Sequence, residues 1–351
     1  MILLLWYLPI LTYFLIYFTI FRYEIEKNKD ITQKIILFNF AYSLIFIFFT
    51  LTFENTNDTK HYYYSFLFGG FGYGSDEFFF NFLQRFFIDI DRNFYTFFLL
   101  KKFYIVCFII FFLYFYKKEI NLPIFLFSPF ILLSTENGLR QGGASIFFLL
   151  CVFLILKNKY FPAIVFAILS FGSHYSITIM ILIFFISLSY EKLFKTNKKP
   201  NLFTIFSISA LMVFVIFFFI NNYAGNLYSG YFRESSNDYF DGSTRVEPNI
   251  KFLIFLIYFL LALITEYRKK INYFNSLFFT RNILGVMILL FYFLFDYSEL
   301  ASRLLFYFIA IDIFLLSLIV HLKKVHPYYI LLTFSSSIFA PNAFVILMNQ
   351  I

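Results

Sequence analysis

The chain reads as an all-α, polytopic helical membrane protein, with about twelve transmembrane helices and two longer extracytoplasmic segments. Three observations carry that reading. Hydrophobic residues make up 61% of the 351 and charged residues 14%, more apolar surface than a soluble domain can hide. Apolar runs recur from one end to the other, at lengths near the roughly 20 residues a helix needs to cross the hydrocarbon layer. Lysines and arginines, finally, gather in alternate loops, as orientation across a bilayer demands. The expected organisation is one integral-membrane domain over residues 1–351.

The first run, about 2–21, has no basic segment before it and no small-residue cleavage site after it. It is expected to be a retained helix rather than a signal peptide. Further spans are expected near 35–53, 96–116, 122–135, 140–156, 160–173, 175–190, 202–222, 250–266, 277–295, 302–320 and 328–348. The runs at 122–135 and 160–173 are short and carry Pro123, Pro129 and Pro162. Place the first loop (Arg22, Lys27, Lys29, Lys34) in the cytoplasm and alternate from there. Seventeen of the 28 basic residues then face inward and eight outward, the bias of the positive-inside rule. Lys101, Lys102 and Arg281 lie in or beside apolar runs and belong to neither set. Both termini fall outside.

Two outer segments are long, about 54–95 and 223–249. The first contains Phe78-Phe79-Phe80-Asn81-Phe82-Leu83-Gln84-Arg85-Phe86-Phe87, the pattern of a helix lying in the interface or packed over the bundle. The second is polar, with Arg233, Glu234, Asp238, Asp241, Arg245 and Glu247, and could cover an external cavity.

Composition also narrows the function. The net charge of +8 follows from basic loops, and no soluble segment interleaves a basic patch with aromatics, so nucleic acid is not an expected partner. The 61 Phe and 28 Tyr, beside abundant Ile, Asn and Lys, have the look of AT-rich codon usage. They are not by themselves a sugar-stacking surface. Cys107 and Cys151 both fall in apolar runs, and no Cys/His spacing reads as a metal-ligand set. No cofactor or metal is expected.

The residues that could carry chemistry stand at the outer ends of helices: Arg140, His174 and Arg303. Each has a bland reading, as an arginine snorkelling to the interface or a histidine capping a helix. Their appearance together on one side favours a site. A guanidinium pair suits a diphosphate, because each fork binds two oxygens and its charge is not titrated away. At a lipid-linked glycosyl donor the same forks would stabilise the departing diphosphate. Candidate acids and bases are Asp58, Glu77, Glu136, Asp296 and Glu299, with His174 titrating nearest neutrality. Glu136 is spaced for an i,i+4 pair with Arg140, and Asp296 and Glu299 precede Arg303. The sequence does not choose the base.

These residues resemble a family. Asp58-Thr59-Lys60-His61-Tyr62, then Phe66, is similar to the Asp-x-x-x-Tyr-x-x-x-Phe motif of the first outer loop in EpsG/Wzy-type polysaccharide polymerases. Glu77-Phe78-Phe79-Phe80 stands where that family has Glu-Pro-x-Phe, with Phe78 in place of the proline. Arg140-Gln141-Gly142-Gly143-Ala144 resembles Arg-Gln-x-x-Ala, His174-Tyr175-Ser176 resembles His-x-Ser, and Arg303 to Phe308 resembles the late Arg-x-x-x-Tyr-Phe element.

The resemblance implies a multi-pass enzyme of the bacterial inner membrane that builds surface polysaccharide: O-antigen, capsule or exopolysaccharide. Its substrate would be oligosaccharide linked to undecaprenyl diphosphate, and a chain-length regulator fits as a partner. It implies Arg140, His174 and Arg303 as catalytic residues, and Asp58, Tyr62, Glu77, Gln141 and Glu299 around the substrate. Two other readings compete: a transporter or flippase of lipid-linked oligosaccharide, which needs cations open to both sides, and a ligase that moves a finished glycan.

Overall fold

The computed structural model describes residues 57–68, 77–115, 139–194, 201–219, 250–269, 275–294 and 298–323. Among these the protein is all-helical, in ten helices. In chain order they are α1 (Asn57–Phe68), α2 (Phe78–Ile90), α3 (Phe94–Phe115), α4 (Leu139–Leu156), α5 (Tyr160–Ser173), α6 (Ile177–Phe194), α7 (Leu202–Phe219), α8 (Ile250–Lys269), α9 (Asn275–Phe293) and α10 (Ser298–Lys323).

Helices α3 to α10 fall on eight of the twelve expected spans, while the runs at 2–21, 35–53, 122–135 and 328–348 lie outside the described residues. By length and composition alone, α4 and α9 are the two described helices apolar enough to cross a membrane. Helices α1 and α2 occupy the first long outer segment, and residues 223–249 lie outside the described set.

Local chemistry explains where several helices begin and end. Asn93 accepts the Thr96 N–H on its side-chain oxygen at 3.0 Å, and Thr96 Oγ1 accepts the Asn93 N–H at 3.3 Å. This reciprocal cap starts α3. Asn201 caps α7 one way only, accepting both the Thr204 N–H and the Thr204 hydroxyl at 2.7 Å on its side-chain oxygen. Between α4 and α5 the chain reverses within Lys157–Lys159, with Asn158 at φ 58°, a left-handed conformation that asparagine tolerates. Pro162 interrupts nothing, because it sits in the first turn of α5, where its missing N–H has no helical acceptor.

The chain clusters into two compact units. The first holds the described helices up to Thr178, with the end of α10 from Leu316; the second holds Ile179–Leu315. In the first, α4 is buried along nearly its whole length and packs against α3 and α5, while α2 packs against α3 and α5 in turn. Gly143 makes the α3–α4 approach possible: a Cβ there would stand 2.4 Å from the ring of the buried Tyr104. Aromatic rings fill the seam, with Tyr104 edge-on to Phe147 at 5.0 Å and Phe112 edge-on to Phe153 at 4.9 Å. In the second unit α9 packs against α7 and α8. Phe252 stacks on Tyr292 at 3.8 Å, and Phe255 meets Phe308 edge-on at 5.0 Å. Among the described residues, ring-to-ring packing recurs through both units.

Candidate active site

Arg140 is the second residue of α4. A cation in the first turn of a helix opposes the helix dipole, so its position has to be secured by neighbours. Glu77 and Tyr62 secure it. Arg140 Nη1 donates to Glu77 Oε2 at 2.8 Å, and Nε donates to the Tyr62 hydroxyl at 3.2 Å. The guanidinium carbon also lies 5.9 Å from the centre of the Tyr62 ring, within reach of a cation–π contact. The guanidinium at the edge of the apolar run is therefore paired, with a carboxylate 63 positions away. Glu136, the local partner considered from spacing, lies outside the described residues.

Glu77 is 1% exposed. It occupies the N-cap position of α2 but makes no side-chain cap. Its carbonyl receives the Asn81 N–H at 3.0 Å, which starts the helix and leaves both carboxylate oxygens for other work. Oε2 takes Arg140; Oε1 takes Nδ1 of His174. One carboxylate thus joins an arginine and an imidazole that are 34 positions apart in sequence.

His174 links α5 to α6 in extended backbone, φ −165° and ψ 121°. Its N–H donates to the Ser170 carbonyl at 3.2 Å, and its own carbonyl accepts the Ile177 N–H at 3.2 Å. The main chain on both sides is fixed, so the ring is aimed. With Nδ1 committed to a carboxylate, the favoured neutral tautomer carries its proton there and leaves Nε2 as the acceptor. The side chain keeps 17% of its exposure, against 2% for Glu77. The imidazole is the part of the cluster that can meet a substrate.

The helices that carry these groups are pinned at short range. Gly172, two residues before His174, faces Phe78, the residue after Glu77; a Cβ on it would come within 2.4 Å of that ring. The missing side chain lets the start of α2 lie against the end of α5, which brings Glu77 to His174. Ser170 Oγ donates to the Ala144 carbonyl at 2.6 Å, tying α5 to the first turns of α4. Tyr104 donates its hydroxyl to Ser173 Oγ at 3.2 Å, tying α3 to the last residue of α5. Tyr62 leans edge-on against Phe80 of α2 at 6.1 Å.

The structure thus brings together Tyr62, Glu77, Arg140 and His174. Asp58 lies one turn before Tyr62 on α1, and its side chain is outside the described set. Gln141 follows Arg140, half-buried, and its carbonyl accepts Ser145 Oγ at 2.8 Å. Arg303 is half-buried on α10 in the second unit. Glu299 lies one turn before it on the same helix, its side chain again outside the described set, as is all of Asp296.

The second unit contains a charged cluster that motif reading missed. Arg281 of α9, 1% exposed, donates from Nη2 to Glu266 at 2.7 Å and from Nη1 to Asp312 at 3.3 Å. Asn282 accepts from Arg281 and donates to Glu266 at 3.0 Å, and the Tyr258 hydroxyl donates to Asp312. The sequence carries two signals of it: Arg281 itself, a cation in no loop, and an aspartate in the apolar run Ile311-Asp312-Ile313, which needs a buried partner. Among the described residues no three His, Cys, Asp or Glu side chains gather as a metal-ligand set.

The EpsG family model matches residues 35–349. The chain belongs to the EpsG family. Neither a curated protein nor a solved structure matches it significantly. The family match covers both charged clusters and all five of the motif positions, Tyr62, Glu77, Arg140, His174 and Arg303. EpsG membership suggests a polysaccharide polymerase, glycosyltransferase-like, working in a membrane on lipid-linked oligosaccharide.

Proposed function

We propose that this EpsG-family protein polymerises surface polysaccharide on the outer face of the bacterial plasma membrane, which it crosses several times. The donor is a glycan on undecaprenyl diphosphate, and the acceptor is a sugar hydroxyl of a second lipid-linked repeat unit. The observation that carries this reading is the carboxylate of Glu77 shared between Arg140 and His174.

The steps follow from that arrangement. The acceptor hydroxyl gives its proton to His174 Nε2 as its oxygen attacks the anomeric carbon. The bond between that carbon and the diphosphate breaks, and the diphosphate leaves with the electron pair. Glu77 holds the imidazole in the accepting tautomer and stabilises the imidazolium as it forms, as a carboxylate behind a histidine does in hydrolases. It is a positioning residue. Arg140 fixes Glu77 in place, and its cation is there for the negative charge that develops on the leaving group. From their places in the sequence, Arg303 is proposed as a second fork for phosphate oxygens, and Asp58, Gln141 and Glu299 as sugar-binding residues. No step calls for a metal.

The test is the purified protein in nanodiscs with synthetic lipid-linked repeat units. Products longer by whole repeats are expected. Lipid moving between leaflets without lengthening would replace the polymerase by a flippase, and transfer only to an unrelated acceptor would replace it by a ligase.

A further inference from the structure

Helix α2 has two apolar faces. Phe80, Leu83, Phe87 and Ile88 are buried against the first unit. On the other side Phe78, Phe82, Phe86 and Ile90 recur at every fourth position and are 50%, 60%, 52% and 57% exposed. Their spacing makes one ridge along the helix. Neighbouring rings are already aligned: Phe79 and Phe82 stack at 6.3 Å, and Phe82 and Phe86 at 6.5 Å. Arg85 and Asp89, both exposed, flank it. Thirteen residues make a helix of about 20 Å, too short to cross a hydrocarbon layer of about 30 Å. The ridge is therefore not the outer face of a spanning helix, which bulk lipid would cover in any case.

Its starting point is what matters. Phe78 follows Glu77 directly and packs on Gly172, two residues from His174, so the apolar track begins at the polar cluster and runs away from it. A ligand that fits both has a charged or glycosylated head and a long hydrocarbon tail joined to it. No side chain along the ridge itself can hydrogen-bond a sugar, so a glycan platform fits poorly.

We infer that the Phe78–Phe82–Phe86–Ile90 ridge binds the polyisoprenoid chain of the lipid-linked substrate and thereby sets its head at His174. This rests on the polymerase reading for the identity of the head group, and on the ridge itself for the tail.

The experiment is photolabelling of the full chain in nanodiscs with a diazirine-bearing polyprenyl diphosphate, followed by mapping of the labelled peptide. Label is expected on residues 78–90, displaced by unlabelled polyprenyl diphosphate. Phe82→Ser with Phe86→Ser, both at exposed positions, should lower it about tenfold, the effect of losing about 1.4 kcal/mol of apolar contact. Displacement by excess phosphatidylglycerol would make the ridge a general bilayer contact. Displacement by lipid-free repeat-unit glycan would make it a sugar platform. Label confined to other peptides would remove it from the binding path. Each of these overturns the inference. A wild-type protein that labels on α2 yet never lengthens a glycan would sink the polymerase reading and leave the ridge standing.

Discussion

Each unit of this protein is organised around an arginine held by carboxylates, and the two arginines are enclosed to different degrees. Arg281 meets Glu266, Asp312 and Asn282, and Tyr258 completes the shell around Asp312; the guanidinium side chain is 1% exposed. Arg140 shares a single carboxylate with His174, and its side chain is 12% exposed. In the closed cluster the described partners of the charge are amide, hydroxyl and carboxylate groups, suited to satisfying one another. In the open one, a titratable ring at the rim faces outward while its other nitrogen is tied down. On the proposed function, enclosure rather than the presence of an ion pair separates a fastening from a reactive centre. A fully buried ion pair needs good geometry merely to offset its desolvation, whereas a partly open one keeps a group available to a ligand.

Changes at three places would break or sharpen this contrast. The largest effect is expected at the rim. His174→Ala should lower glycan lengthening by about 10²- to 10⁴-fold, the usual contribution of a general base, while thermal unfolding of the detergent-solubilised protein stays near wild type. Activity within a few-fold of wild type would make the first cluster a fastening too.

Next comes the closed cluster. Arg281→Ala leaves two carboxylates buried without their cation and should cost about 3–5 kcal/mol of stability, read as a large fall in unfolding temperature. Replacing Glu266, Arg281 and Asp312 together by leucine or methionine should recover most of that loss and retain lengthening activity. A stable triple variant with no activity would give the second cluster a role beyond packing.

The smallest effects are at the glycines beneath the open cluster. Gly143→Ala drives a methyl into the buried Tyr104 ring and should cost about 1–3 kcal/mol. Gly172→Ala meets Phe78, whose half-exposed ring can swing aside, and should cost less than about 1 kcal/mol in stability. It should nevertheless reduce lengthening, because it displaces Glu77. Equal stability losses at the two positions would mean that Phe78 is as fixed as Tyr104.

Much of this was legible before any coordinates. Apolar runs placed eight helices, because burial or lipid contact along a whole helix leaves a continuous signature in sequence. Arg140 and His174 were marked by standing where an apolar run begins or ends, Glu77 as a candidate acid, and Tyr62 by the family resemblance. Lys101, Lys102 and Arg281, the three cations that belonged to no loop, are the cations buried among the described residues, at 6%, 3% and 1% exposure. What could not be read was pairing. Glu77 chooses Arg140 and His174 over its own helix N-terminus because Gly172 admits Phe78 and Ser170 ties α5 to α4. Those are contacts between helices distant in sequence, and spacing along the chain does not encode them. The Arg281 cluster escaped for the same reason: its members come from three helices, and Arg281 stood out without its partners.

The Glu77 bridge also bears on how the protein is made. Tyr62, Glu77, Arg140 and His174 all precede Thr178 in the chain, and so do the serines and glycines that steady them. This ensemble can assemble while later helices are still being made, although its unit is completed only by the end of α10. A nascent chain stalled shortly after α5 should already hold the imidazole against its carboxylate.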